Sequence, residues 1–142
     1  MKVLISLFTM IVLSNFTMAS MKNGKEINSL SDFKWNYRVI LINQLHSDID
    51  FQNVLNTMSS EISERHIAWF LLTEGDVISN LNVRLSNDIQ LQMQNTTASS
   101  NVVLIGKDGG IKMKLDELDL PAIFREIDSM PMRQAEMNNQ LL

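Results

Sequence analysis

Three short, uninterrupted apolar runs constrain this chain more than any other feature: Val39-Ile40-Leu41-Ile42, Ile67-Ala68-Trp69-Phe70-Leu71-Leu72 and Val102-Val103-Leu104-Ile105. Each has strand length and is rich in β-branched or aromatic residues. None alternates with polar residues, which implies strands covered on both faces, as in a partly parallel sheet. A fourth run, Ile111-Lys112-Met113-Lys114-Leu115, alternates without a break and reads as a half-exposed edge strand. Gly106-Lys107-Asp108-Gly109-Gly110 joins it to the third run. Asp-Gly and Gly-Gly steps permit positive φ, so this stretch predicts a tight hairpin.

Helical spacing fills the gaps. Phe51, Val54, Leu55, Met58 and Ile62 share one helical face behind Ser47, Asp48 or Asp50 as caps. Leu120, Ile123, Phe124 and Ile127 form the stripe of a last helix that starts near Asp119 with Pro121 in its first turn and is ended or kinked by Pro131. Residues 133–137 add at most one further turn. Residues 77–94 carry two patterns at once, since Leu81, Val83 and Leu85 alternate while Leu85, Ile89 and Met93 repeat every four residues. The long gap before the third strand favours a crossover helix there. The order β-α-β-(α)-β-β-α predicts a three-layer, thioredoxin-like α/β fold, with a central four-stranded mixed sheet that ends in a β-hairpin and a C-terminal helix.

The N-terminus reads as a processing signal. Lys2 precedes a nearly unbroken apolar stretch over 3–13, too short to span a bilayer, and Thr17-Met18-Ala19 offers small residues around a cleavage point. The expected organisation is a signal peptide at 1–19, a flexible leader at 20–29, one domain at 30–137 and a C-terminal tail at 138–142. No cysteine follows Ala19, so a lipoprotein anchor is not expected. The expected location is the periplasm or the exterior, without membrane attachment after cleavage. Cleavage would remove Lys2 and no acid, leaving 11 basic against 16 acidic side chains. That acidic balance argues against a nucleic-acid partner.

The 142 residues contain no cysteine. Disulfides, thiol nucleophiles and Cys-ligated metals are thereby excluded. A thiol oxidoreductase would carry cysteine just after the first strand, where Asn43-Gln44-Leu45-His46-Ser47-Asp48 stands. Ser99-Ser100-Asn101 stands where a redox thioredoxin has a proline. His46, Asp48 and Asp50 are spaced to ligate a divalent cation in an extended loop, or else to serve as polar loop residues and helix caps. Met130, Met132 and Met137 offer thioether sulfurs to Cu(I), or simply fill core gaps. The Gly106–Gly110 loop, with Lys107, lacks the spacing of a P-loop and leads into a strand. No Ser lies in a Gly-x-Ser-x-Gly setting, so a hydrolytic triad is not expected. His66 reads as a flanking residue of a buried strand. Asp128, Arg133 and Glu136 cluster around Pro131. They form either a charge lock on the C-terminal turn or, with Lys107 and Asp108 from the hairpin, a polar site for a small anion or peptide carboxylate.

Several of these residues also form a family pattern. Leu104-Ile105-Gly106-Lys107-Asp108-Gly109-Gly110, then Ile127-Asp128, Met130-Pro131-Met132-Arg133 and Glu136-Met137, together with Trp35-x-x-Arg38 and Arg65 before the second strand, resemble the bacterial DUDES domain. That exported family has relatives among animal extracellular-matrix proteins, and the resemblance covers about 30–137. It implies a thioredoxin-like or peroxiredoxin-like fold and no established activity. The expectation is an exported, non-redox binding or interaction module, without a cofactor, whose partner is an unknown protein or a small anionic ligand. The alternative is a metal-dependent enzyme or metal-binding protein that uses the His46/Asp48/Asp50 loop.

Overall fold

The structure, a computed structural model, describes residues 24–45 and 48–141. The expected signal peptide and His46 lie outside the described residues. In chain order the elements are β1 (Lys25–Ile27), a short 3-10 turn (Leu30–Phe33), β2 (Arg38–Asn43), α1 (Phe51–Thr57), α2 (Ser59–Glu64), β3 (Ile67–Leu72), β4 (Val77–Ser79), β5 (Val83–Leu85), α3 (Asn87–Thr96), β6 (Val102–Ile105), β7 (Ile111–Leu115), α4 (Leu120–Ser129) and α5 (Pro131–Gln140).

The main sheet has five strands in the order β4-β3-β2-β6-β7. β2 and β3 are parallel, and α1 and α2 lie between them in the chain. β6 runs antiparallel to β2, and β7 antiparallel to β6. The predicted four-stranded mixed sheet is therefore present, extended at one edge by the three-residue β4. This arrangement is consistent with a thioredoxin-like α/β fold. No helix among the described residues is long and apolar enough to cross a membrane.

Both faces of the sheet are covered, which is why its central strands show no alternation. On one face Ile40, Trp69 and Leu104 pack with Leu55 of α1, Ile62 of α2 and Ile123 of α4. On the other, Leu41, Phe70 and Val103 pack with Phe33, Ile89 and Met93. The Phe33 and Phe70 rings lie 5.2 Å apart.

Four segments differ from expectation. Residues 25–27, expected in a flexible leader, form β1, which pairs in parallel with β5 and buries Ile27 in the second core. The helix over 51–64 breaks at Met58. Asn, Thr and Ser surround the break, and the Thr57 hydroxyl donates back to Asn53 O at 2.9 Å, a bond that bends helices. Residues 77–94 hold both patterns in succession, because Ser86 caps α3 and splits two short strands from the helix that buries Ile89 and Met93. Finally, the turn expected at 133–137 is a ten-residue helix that takes up residues 138–140 of the expected tail.

The Gly106–Gly110 hairpin is as predicted, with Gly109 at φ +85. The ladder slips between Leu104 and Ile105, which leaves Lys112 as the extra residue of a bulge and interrupts the alternation of β7.

Candidate functional site

The register of the sheet brings distant residues to one end of the molecule. Arg38 opens β2 opposite Ile67, the first residue of β3, so Arg65 and His66 lie beside it. β6 runs the other way and ends opposite Val39, which delivers Lys107 to the same end. α4 stops at Ser129, and Met130 is extended at ψ 138, as the residue before a proline prefers. Pro131 then starts α5, and the sharp corner turns Arg133 and Glu136 back toward the sheet.

The result is an ionic network. Arg38, 1% exposed, donates through Nη1 to Arg65 O at 2.9 Å and to Glu136 Oε2 at 3.1 Å. The Lys107 ammonium donates to Glu136 Oε1 at 2.5 Å and lies 2.9 Å from His66 Nδ1, which is then the unprotonated, accepting nitrogen. Arg133, also 1% exposed, donates to Glu64 Oε1 at 2.7 Å, to Glu64 O at 3.1 Å and to Asp128 Oδ1 at 3.2 Å. Arg65 holds Asp128 with two bonds, at 3.0 and 2.7 Å, and stacks over the Phe124 ring.

Burial pushes the Glu136 carboxyl up, but hydrogen bonds and charge from Lys107 and Arg38 outweigh it and hold the group below its usual value. Burial likewise raises Asp128, and Arg65 and Arg133 more than reverse the effect. Both carboxylates are thus fixed in their charged form at neutral pH.

Between the hairpin turn and the α4–α5 corner lies a pocket of about 280 Å³. Arg38, Lys107 and Lys112 line it with Met130, Pro131 and Met132. The Nε–H of Arg38 is buried and has no hydrogen-bond partner. Buried donors are normally satisfied, so this one marks the spot. Two further signs of strain converge here. Among the described residues, Trp35 (φ 69) and His66 (φ 50) are the non-glycine positions with positive φ. Trp35 N–H donates to Lys107 O at 2.7 Å, and His66 contacts the Lys107 ammonium.

Of the residues singled out by sequence, Lys107, Asp128, Arg133 and Glu136 meet in this network. Asp108 does not join it. Its carboxylate accepts from Lys112 Nζ at 2.9 Å and from Gly110 N–H at 3.0 Å, and it serves the hairpin. The Lys112 bond chiefly holds the Asp108 carboxyl below its usual value. Arg38, Arg65, Glu64 and His66 complete the site without having carried a role in the sequence. Arg38 and Arg65 were marked only by the family pattern and by their charge beside a buried strand, and Glu64 carried no signal. Met130 packs on the first core, whereas Met132 is 40% exposed and does not turn inward.

The alternative loop lies at the opposite end of the sheet, where Asn43 N–H donates to Asn101 O. Asp50 accepts from Asn53 N–H at 3.0 Å as the cap of α1, and Asp48 is exposed. Among the described residues no three His, Cys, Asp or Glu side chains gather as a metal would need.

Fold and site together define a cysteine-free α/β domain with a buried ionic corner beside a small amphiphilic pocket. The chain belongs to the family described as Domain of unknown function (DUF4174), which matches residues 29–136. No curated protein matches it, and no solved structure does.

Proposed function

We propose that this domain is a thioredoxin-like relative of the DUDES domain, exported by way of residues 1–19, that binds a ligand at its charged corner and performs no redox chemistry. The observation that carries the reading is the buried, unpartnered Nε–H of Arg38 in a side chain that lines an open pocket. An arginine that served only to lock the C-terminal helix would gain by satisfying that donor internally. The strained backbones of Trp35 and His66, both in contact with Lys107, support a site held in place at some cost. The complete lack of cysteine removes the chemistry that a thioredoxin-like scaffold otherwise performs at the far end of the sheet. The partner is a small anion or the anionic part of a protein.

The test is a titration of the isotopically labelled protein with acetate, the simplest organic anion, followed by amide chemical shifts. Shifts at Gly106, Lys107 and Met132 are expected. Shifts confined to the 43–50 loop, or none at all, would defeat the reading. Export is checked separately by the intact mass of material recovered from the exported fraction, which should begin at or near Ser20.

A further inference from the structure

We infer that the corner pocket takes a monovalent carboxylate that carries a short apolar chain. This rests on the corner being a binding site at all, and goes on to name what it binds. The donors decide the head group. Nη1 of Arg38 gives its two protons to Arg65 O and Glu136, and Nη2 gives one to Glu136, which leaves Nε–H and the second Nη2–H on one edge of the guanidinium. Lys107 has three ammonium protons, and Glu136 and His66 take two of them. Arg38 therefore keeps a parallel Nε–H and Nη2–H pair, and Lys107 keeps one proton, on two side chains that line one pocket. The parallel pair matches the two oxygens of a carboxylate.

Charge points the same way. Arg38 and Lys107 share the single carboxylate of Glu136, so one positive charge is left over among these three groups. Lys112, also in the lining, is already neutralised by Asp108. Glu126 lines the pocket as well and brings the six side chains to neutrality, which disfavours a dianion more than a monoanion.

The remaining lining decides the tail. Met130, Pro131 and Met132 present apolar surface beside these donors. Methionine adapts to varied apolar shapes, which suits a flexible chain. The volume, about 280 Å³, sits at the lower end of ligand pockets and sets the chain as short. Such a carboxylate exists either as a free short-chain acid or as the terminus of a peptide that ends in an apolar residue.

Calorimetric titration of the whole protein with acetate, hexanoate, hexanamide, hexyl phosphate and N-acetyl-leucine separates these possibilities. Hexanoate is expected to bind at least about tenfold more tightly than acetate, since each buried methylene contributes about 0.8 kcal/mol. Hexanamide and hexyl phosphate should each bind more weakly than hexanoate. Met132→Ser, at an exposed position, should weaken hexanoate several-fold more than it weakens acetate. N-acetyl-leucine above hexanoate would assign the carboxylate to a peptide terminus, and the reverse order to a free acid. If acetate binds as well as hexanoate, the apolar tail is refuted while the anion site stands. Hexanamide or hexyl phosphate equal to hexanoate refutes the carboxylate. Binding by none of the anions overturns the corner site itself.

Discussion

Arg133 is the residue on which the corner turns. Its neighbours in sequence suggested Asp128 and Glu136 as partners. Asp128 is one, at 3.2 Å, but the shortest bond, 2.7 Å, goes to Glu64, 69 residues away. Glu136 lies 3.9 Å away and spends its carboxylate on Arg38 and Lys107. Local spacing reveals a neighbour on the same helix, whereas a pair closed by the packing of two distant elements, here α2 and α5, leaves no local trace. Hence Arg38 and Arg65 were visible as charges beside buried strands while their roles were not. Replacing Arg133 by alanine would leave Asp128 with Arg65 and leave Glu64 half in solvent, so the cost belongs at the low end for a broken buried pair, about 3 kcal/mol. A urea midpoint shift under about 1 kcal/mol would show that the pair contributes little. Asn80 offers a second case. Its amide accepts from Trp69 N–H at 2.9 Å and donates to Ile67 O at 2.9 Å, completing the edge of β3 beyond the reach of β4. Asn80→Ala should cost roughly 1–3 kcal/mol, because two strand groups lose their partners. An unchanged melting midpoint would mean that water replaces both bonds.

At the scale of elements, β3 and α5 are opposites. Every residue of β3 is buried, and its hydrophobic run announced it. The one buried residue of α5 is an arginine, so no apolar stripe revealed the helix beyond a single turn. Ion pairs from Arg133 and Glu136 hold it in place. That makes its docking sensitive to acid. Glu136 and Asp128 have carboxyls lowered in the folded state, so they contribute stability that is full above the unfolded value and is lost as pH falls through the folded one. Unfolded carboxyls titrate at about 4. The protection factors of residues 131–140 against hydrogen exchange should therefore fall as pH drops below about 5, ahead of those in β3. Glu136→Gln should loosen α5 already at neutral pH and flatten its response between about pH 5 and pH 3. Parallel pH profiles for the variant and the parent would remove Glu136 as the cause.

The molecule is built on one main sheet shared by two cores, and this much the apolar runs made legible. Strands β2, β3 and β6 were each named within a residue of their ends, and their missing alternation foretold cover on both faces. β1 and β4 escaped because three residues show no period, and the alternation at Leu81, Val83 and Leu85 that marked β5 gave way to the case for a crossover helix; β1 and β5 pair with each other across a separation of 58 residues. The sharing has a thermodynamic consequence. Trp69 faces the first core and Phe70 the second, yet they are adjacent in β3, with 3% and 0% of their surface exposed. Both cores rest on the five-stranded sheet, and the second has only the three-residue β1–β5 pair besides, so loss of either should remove the platform of the other. Trp69→Ala and Phe70→Ala are each expected to cost about 3–5 kcal/mol. Each should shift a single transition, recorded alike by far-ultraviolet circular dichroism and by fluorescence of the remaining tryptophans, Trp35 and Trp69 in the Phe70 variant and Trp35 in the other. If Phe70→Ala instead splits the transition, with the environment of Trp69 surviving to higher denaturant than the secondary structure, the two layers melt separately and the sheet is no common platform.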